Sequence, residues 1–124
     1  MDRLEAVLAT IRAQADEAER TIDKSQQLAT ETERLRVRGE STGGDVRVTV
    51  DGVGQLVDLE FVTSPASTDP LQLSARVLEA SRTAKARLTN EVARLGEEIL
   101  GPDSATAASI VQSYTATFGR EEVR

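Results

Sequence analysis

Apolar and small residues recur every three or four positions along the first 33 residues of the chain. They fall at Leu4, Leu8, Ile11, Ala15, Ala18, Ile22, Ser25 and Ala29. A repeat close to 3.5 residues predicts a long helix with a coiled-coil-like seam. Because this seam is rich in alanine, it suits close packing against one long partner helix. The alternative is a long amphipathic helix that lies along its own domain.

Between residues 35 and 61 the spacing of the apolar residues changes to two. Three short runs alternate in this way, namely Leu35 and Val37, then Val46, Val48 and Val50, then Val57, Leu59 and Phe61. Alternation predicts three strands, and the short glycine-containing connections between them permit only antiparallel hairpins. We expect the turns to be shaped by Gly43, Gly44, Gly52 and Gly54. Within the second turn we expect Gly52 to be the glycine with positive φ.

Side-chain parity also predicts a register for the second hairpin. A loop of two or four residues sets Val48 opposite Val57 and keeps apolar side chains on one face. The same register sets Arg47 opposite Asp58 on the outer face, where they would form a weak ion pair.

A second long helix is predicted from residue 70 to residue 100. Asp69 and Pro70 suit an N-cap and the first helical position, and Gly101 followed by Pro102 ends the helix. Its apolar stripe contains Leu73, Val77, Ala80, Ala84, Leu88, Val92, Leu95 and Ile99. Long helices together with an antiparallel sheet define an α+β fold.

A shorter third helix is predicted after a cap at Asp103 or Ser104. It carries one apolar edge, formed by Ile110, Tyr114 and Phe118. We expect this edge to pack on the body of the domain, with binding of a partner as the alternative, and we expect residues 119–124 to fray.

Composition narrows the classes of function. The 124 residues include no histidine and no cysteine, which excludes imidazole bases, thiolate nucleophiles, disulfides and Cys/His metal sites. We therefore expect a protein that is not an enzyme and holds no cofactor or metal. The net charge of −6 opposes generic attraction to phosphate or anionic lipid. No apolar run is long enough to span a bilayer, so we expect a cytoplasmic protein without membrane contact.

The stretch from residue 43 to residue 61 reads GGDVRVTVDGVGQLVDLEF. Its Gly-Gly turn, Val-x-Val-Thr-Val strand, Asp-Gly-x-Gly turn and second apolar strand, together with the order of elements, resemble the YbaB/EbfC family of bacterial nucleoid-associated proteins. The resemblance covers about residues 1–100 and divides the chain into a family-like domain at 1–101 and a C-terminal helical extension and tail at 102–124. It implies a tweezers-like homodimer whose helices project from a central β region, and DNA binding with little sequence preference.

Arginines are the candidate DNA contacts. On the second helix Arg76, Arg87 and Arg94 fall within about 20° of one another, so phosphates of a crossing duplex could reach all three. The outer face of the sheet adds Arg36, Arg38 and Arg47. The alternative is that these arginines are solvated, or neutralised by the acidic residues Glu79, Glu91, Glu97 and Glu98.

The sequence contains no base-reading motif and only three aromatic residues, so any DNA contact is expected at the phosphate backbone. Two functional hypotheses follow. The first is a homodimeric nucleoid-associated protein that binds duplex DNA. The second is a dimeric protein-interaction adaptor whose helices grip another protein, which the net negative charge favours. The resemblance also allows this role, since YbaB-like proteins occur in actinobacterial secretion gene clusters.

Overall fold

The computed structural model describes residues 2–62, 64 and 68–121 of the chain. The elements are α1 (Asp2–Glu33), β1 (Arg36–Glu40), β2 (Val46–Asp51), β3 (Leu56–Phe61), α2 (Pro70–Leu100) and α3 (Ala105–Phe118). The predicted α+β fold, with three helices and three antiparallel strands in this order, is confirmed. The loop expected at 63–69 lies partly outside the described residues, as does the fraying expected at 122–124.

The three strands form one antiparallel sheet in the order β1-β2-β3. Its inner face packs on α2, and the buried core consists of Val37, Val46, Val48, Val50, Ala80, Ala84, Leu88 and Val92. The inward residues of β1 and β2 therefore meet the apolar stripe of α2, while the apolar residues of β3 stay exposed. The fold has two layers, which leaves the outer face of the sheet open to solvent.

Gly39 allows α2 to lie unusually close to β1. A β-carbon on Gly39 would stand 2.3 Å from the backbone nitrogen of Ala84 and 2.5 Å from the carbonyl oxygen of Ala80. The two alanines on the facing side of α2 complete a contact in which backbone meets backbone. Any larger residue at this inward position of β1 would push the helix away from the sheet.

The register of the second hairpin differs from the predicted one by two residues. Val48 pairs with Leu59 instead of Val57, and Arg47 pairs with Glu60 instead of Asp58. The pairing shifts beside Thr49, which lies opposite Asp58, and Val57 is the extra residue of a bulge. The alternation of side chains between the two faces of the sheet is preserved despite the shift, because apolar residues of β2 still lie opposite apolar residues of β3.

The turn holds three residues, 52–54, instead of the predicted two or four, and the Asp51 carboxylate holds it together. Its Oδ1 atom accepts hydrogen bonds from the backbone nitrogens of Val53 (3.1 Å) and Gln55 (2.9 Å). The Asp51 backbone nitrogen also donates to the Gln55 carbonyl oxygen at 2.9 Å. The pairing of the two strands therefore closes on residues 51 and 55, and β3 begins only after them.

The prediction of positive φ at Gly52 was wrong. Positive φ occurs at Gly54 (85°) in this turn, and at Gly43 (90°) and Gly44 (76°) in the other. Gly52 is needed for a different reason, because a β-carbon there would stand 1.9 Å from the carbonyl oxygen of Thr32. The last turn of α1 thus rests directly on the backbone of the β2–β3 turn.

Capping residues define both later helices. The Asp69 side chain accepts from the Leu71 backbone nitrogen at the start of α2, and Pro70 occupies the first turn. Of the two candidate caps of α3, Ser104 is the one whose side chain accepts, from the Ala107 nitrogen. The apolar edge of α3, which contains Ile110, Tyr114 and Phe118, packs against the core as expected.

Helix α1 contacts its own domain only along its second half. Glu17, Thr21 and Lys24 lie across a groove from residues 100–104, and Leu28 is its one buried residue among those described. The apolar seam of α1 does not point into this contact, since its side chains are exposed except for half-buried Ser25. The second half of α1 thus lies along its own domain, as the alternative expected, but the seam itself does not cover that domain.

Candidate nucleic-acid interface

Three of the six candidate arginines come together at the edge of β1. Arg36 and Arg38 lie on the exposed outer face of this edge strand, because Val37 and Gly39 point inward to α2. Arg87 reaches the same edge from α2, where its Nη1 donates to the Arg38 carbonyl oxygen at 3.1 Å. Arginine side chains from two elements, β1 and α2, therefore lie together along this edge of the sheet.

The charge of Arg87 is balanced within the chain. Its guanidinium lies 2.7 Å from Glu40 and 2.9 Å from Glu121. Hydrogen bonding to Glu40, followed by that to Glu121, raises the pKa of Arg87. The Asn90 amide also donates to the Glu121 carbonyl oxygen at 3.0 Å. Residue 121 is therefore held against α2, which contradicts the expected fraying at this position.

Arg76 is bound to the β1–β2 turn. Its Nη1 lies 2.5 Å from Oδ2 of Asp45, whose Oδ1 accepts a hydrogen bond of 2.7 Å from the Ser41 hydroxyl. The Ser41 hydrogen bond is the main cause that lowers the pKa of Asp45, and Arg76 adds to it. The Asp45 carboxylate is thus kept charged and fixed, and it serves as a structural partner for Arg76.

Arg94 and Arg47 also have acidic neighbours. Arg94 lies 3.0 Å from Glu91 and 2.9 Å from Glu98 on its own helix, and hydrogen bonding to Glu91 is the main cause of its raised pKa. Arg47 lies 3.5 Å from Glu60 across the sheet. These pairs agree with the alternative that nearby carboxylates neutralise the arginines. Exposed pairs of this kind are weak, so a phosphate can compete for the same guanidinium.

Arg36 and Arg38 are the two candidates whose charge is not balanced by a carboxylate within the described part of the chain. The Arg36 guanidinium donates to the carbonyl oxygens of Glu33 (3.3 Å) and Leu35 (2.7 Å). Such bonds orient the side chain and leave its positive charge in place. The unbalanced positive charge of this surface is therefore concentrated on β1.

The opposite edge of the sheet is apolar. Strand β3 is exposed along its whole length. Its exposed apolar side chains, with those that follow it, are Leu56, Val57, Leu59, Phe61 and Val62. A shallow depression beside it is lined by Phe61, Leu73, Ser74, Val77 and Leu78. Sequence parity did not reveal this surface, because it counted the apolar side of β3 as part of the core.

The partners of the paired arginines were also missed from the sequence. Glu40, Asp45 and Glu121 lie 47, 31 and 34 residues from the arginines that they contact. Glu79, which was a candidate neutraliser, instead accepts hydrogen bonds from Thr42. Only the partners within one helical turn, Glu91 and Glu98 beside Arg94, follow from spacing along the chain.

The chain is thus a small α+β protein with a long helix, a three-stranded meander and a second long helix, and its edge strand β1 carries exposed arginines. The model of the YbaB/EbfC DNA-binding family matches residues 6–102 of the chain. The chain therefore belongs to this family of DNA-binding, nucleoid-associated proteins, as its sequence indicated. No curated protein matches it closely enough to count as a relative. Within the described residues no helix is long and apolar enough to cross a bilayer.

Proposed function

We propose that the protein is a cytoplasmic, nucleoid-associated homodimer that binds duplex DNA through phosphate contacts, with little sequence preference. The observation that carries this proposal is membership of a DNA-binding family over residues 6–102. The family-like domain at 1–101 would bind DNA, and the extension at 102–124 would support it. The proposed contacts are Arg36, Arg38, Arg47, Arg76, Arg87 and Arg94. No catalytic step is part of this function.

The pairing of the arginines divides them into two groups. Arg36 and Arg38 can meet a phosphate without giving up a carboxylate partner. The other four must exchange a carboxylate for a phosphate, which reduces the net gain from each contact. The free energy of binding then comes mainly from the β1 edge, with the paired arginines contributing as the duplex approaches.

The negative net charge limits affinity and does not exclude binding. The Debye length is about 8 Å at physiological ionic strength, so acidic side chains on distant turns of α1 repel DNA only weakly. A small number of phosphate contacts supports non-specific dissociation constants of about 10⁻⁶ to 10⁻⁴ M. A dimer doubles the number of contacts along one duplex.

The free edge of β3 supports the homodimer. Among the described residues this strand pairs only with β2, so its outer backbone groups are open to another strand. Apolar side chains such as Val57 (49% exposed) and Leu59 (39% exposed) flank this edge. Addition of the same strand from a second copy would pair the backbone groups and bury both apolar rows. The result would have a central β region with helices on either side.

The protein-interaction adaptor remains the second candidate. Two observations favour it, namely the net charge of −6 and the ion pairs that bind four of the six arginines. In this case the paired arginines would be structural, and the exposed apolar residues of α1 and β3 would bind a protein.

A salt titration of binding to plain duplex DNA separates the two candidates. Phosphate contacts should make the logarithm of the affinity fall linearly with the logarithm of salt, by about 0.9 per contact. Two duplexes of unrelated sequence should bind equally well. If no binding occurs at about 50 mM salt, where phosphate contacts are strongest, the adaptor replaces the DNA-binding proposal. A tenfold or larger preference for one duplex would contradict the low specificity.

A further inference from the structure

The apolar seam of α1 has no partner in the described part of the chain. We call Leu4, Leu8, Ile11, Ala15, Ala18, Ile22, Ser25 and Ala29 the α1 seam. Leu4 is 60% exposed, Ile11 54% and Ile22 56%. The seam continues for about 26 residues, with large side chains at its N-terminal end, alanines in the middle and small residues at its C-terminal end. An exposed seam of this length is typical of a helix that pairs with another helix.

The seam points away from the domain to which α1 is attached. Glu17, Thr21, Lys24 and Leu28 face that domain. At 100° per residue their mean direction lies roughly 120° around the helix axis from the seam. Residues 2–16 also extend about 22 Å beyond the groove formed with the α2–α3 turn. A partner helix can therefore approach the seam, of which only Ser25 is half-buried by the chain's own domain.

We propose that the α1 seam binds the α1 seam of a second copy of this chain in an antiparallel helix pair. In the register with the greatest overlap the two-fold axis passes beside residues 16 and 17, and Ala15 lies opposite the partner's Ala18. The layers then combine Leu4 with the partner's Ala29, Leu8 with the partner's Ser25, and Ile11 with the partner's Ile22. Each large terminal side chain meets a small one, and the central alanines allow the closest approach.

The charges beside the seam select this register. In an antiparallel pair, the three flanking positions Glu5, Arg12 and Glu19 face the same positions of the partner. In the register of greatest overlap Arg12 of each copy faces Glu19 of the other, which gives two opposite-charge pairs. Glu5 faces the partner's Gln26, which is uncharged. A shift of one heptad in either direction sets like charges opposite each other, either Glu5 against the partner's Glu19 or Glu19 against the partner's Glu19. A shift of two heptads pairs Glu5 with the partner's Arg12, but it covers only half of the seam.

The free half of α1 provides room for the partner's domain. In the chosen register residue 17 of one helix lies opposite residue 16 of the other. Residues 17–33 of α1 contact the rest of their own chain, while residues 2–16 do not. In the helix pair, the domain of each copy therefore lies beside residues 2–16 of the opposite helix. Both copies can therefore lie on the same side of the helix pair without collision.

This contact is separate from the pairing proposed for β3, and it does not depend on DNA binding. Each contact joins identical surfaces by its own two-fold axis. A chain with two such contacts can join more than two copies, either in a closed tetramer or in an extending array. Association through α1 would then let DNA-bound dimers bridge one another.

Sedimentation velocity on the full chain without DNA tests the register. Arg12→Glu and Glu19→Arg should each weaken the α1-dependent association about tenfold, because two attractive pairs become repulsive. The double variant Arg12→Glu/Glu19→Arg should restore it. Glu5→Arg is the matched control and should have no effect, because it faces an uncharged residue. All three positions are exposed, so circular dichroism should show an unchanged fold.

A seam variant makes the test independent of the strength of the ion pairs. Ile11→Asp should weaken association at least tenfold, whereas Ala6→Asp, an exposed position outside the seam, should not. The proposal is overturned if Ile11→Asp associates like the parent chain. It is also overturned if Glu5→Arg weakens association while Glu19→Arg does not, since this result indicates the half-overlap register. Neither outcome changes the DNA-binding proposal, because the salt titration measures that function separately.

Discussion

The phenol of Tyr114 donates a hydrogen bond of 2.6 Å to the carbonyl oxygen of Gly52. Phe118, one turn later, lies beside Gly54, where a β-carbon would stand 2.4 Å from its ring. The two rings contact each other with centroids 5.8 Å apart. Helix α3 lies outside the residues that the family model matches. Through Tyr114 and Phe118 it nevertheless packs against the turn between β2 and β3. The C-terminal extension is thus part of the domain's structure.

Replacement of Tyr114 by phenylalanine should lower the free energy of unfolding by about 1 kcal/mol, because the Gly52 carbonyl loses its hydrogen-bond donor while the ring packing is retained. Urea unfolding followed by circular dichroism measures the difference. Thr115→Val is a suitable control, because the exposed Thr115 hydroxyl bonds only to the Val111 carbonyl within α3. Equal stability of Tyr114→Phe and the parent chain would show that the hydrogen bond contributes nothing.

Tyr114 should also make stability depend on pH in alkaline solution. Burial, and next the charge of Asp51, raise the pKa of this phenol above its usual value of 10.0. The unfolded chain therefore loses the phenol proton at lower pH than the folded chain does. Its contribution to stability is complete below pH 10 and is lost as pH rises through the folded-state pKa. Melting temperatures measured from pH 8 to pH 11 should converge for the parent chain and Tyr114→Phe as pH rises.

Gly39→Ala should destabilise the fold by about 1–3 kcal/mol, because the added methyl would overlap the backbone of α2 at Ala80 and Ala84. The control is Gly43→Ala, where the space is open but φ is +90°. That change should cost only about 1 kcal/mol of backbone strain. Chemical unfolding of both variants compares the two effects. A smaller loss at Gly39 than at Gly43 would contradict the close helix-to-strand contact.

The order of the elements and the part of the core that β2 and α2 supply could be predicted from the sequence because both depend on local periodicity, whereas the apolar row of β3 was wrongly counted as core. The period of two placed Val46, Val48 and Val50 on the inner face, and the period near 3.6 placed Ala84 and Leu88 against them. The register was wrong because it depends on the hydrogen bonds of the Asp51 side chain and on a bulge, and parity detects neither. The role of Gly52 was wrong for a related reason, since its contact with α1 is a tertiary one.

The candidate arginines could be predicted from the sequence, but their partners could not. Spacing on α2 identified Arg76, Arg87 and Arg94 as one flank. The carboxylates of Asp45 and Glu121 balance two of these charges. Both are distant along the chain and lie beside α2 only because of the tertiary fold. The unbalanced charge on β1 therefore becomes visible only when the pairs on α2 are known.

Val57→Glu should weaken the homodimer, because it places a charge beside the β3 edge where two copies are proposed to pair. At least a tenfold increase in the dissociation constant is expected, which corresponds to about 1.4 kcal/mol. Light scattering over a range of concentrations measures it, and a parent chain of 13.4 kDa mass at micromolar concentration would contradict dimerisation altogether. Val53→Glu is the matched control, since Val53 is 68% exposed in the turn outside β3.

The last prediction concerns the β1 edge as the main DNA contact. Arg36→Ala/Arg38→Ala should weaken duplex binding equally for unrelated sequences, and should reduce the slope of log affinity against log salt by up to about 1.8 per protomer, from two lost phosphate contacts. The control Arg82→Ala/Lys85→Ala removes the same charge from α2 residues outside the proposed contacts. If the two double variants lose affinity equally, only the overall charge matters and the edge is not a site. The variant Arg76→Ala/Arg87→Ala/Arg94→Ala should lower both affinity and stability, because it leaves Asp45 and Glu40 without their ion-pair partners. Loss of stability with unchanged affinity would assign those three arginines a structural role alone.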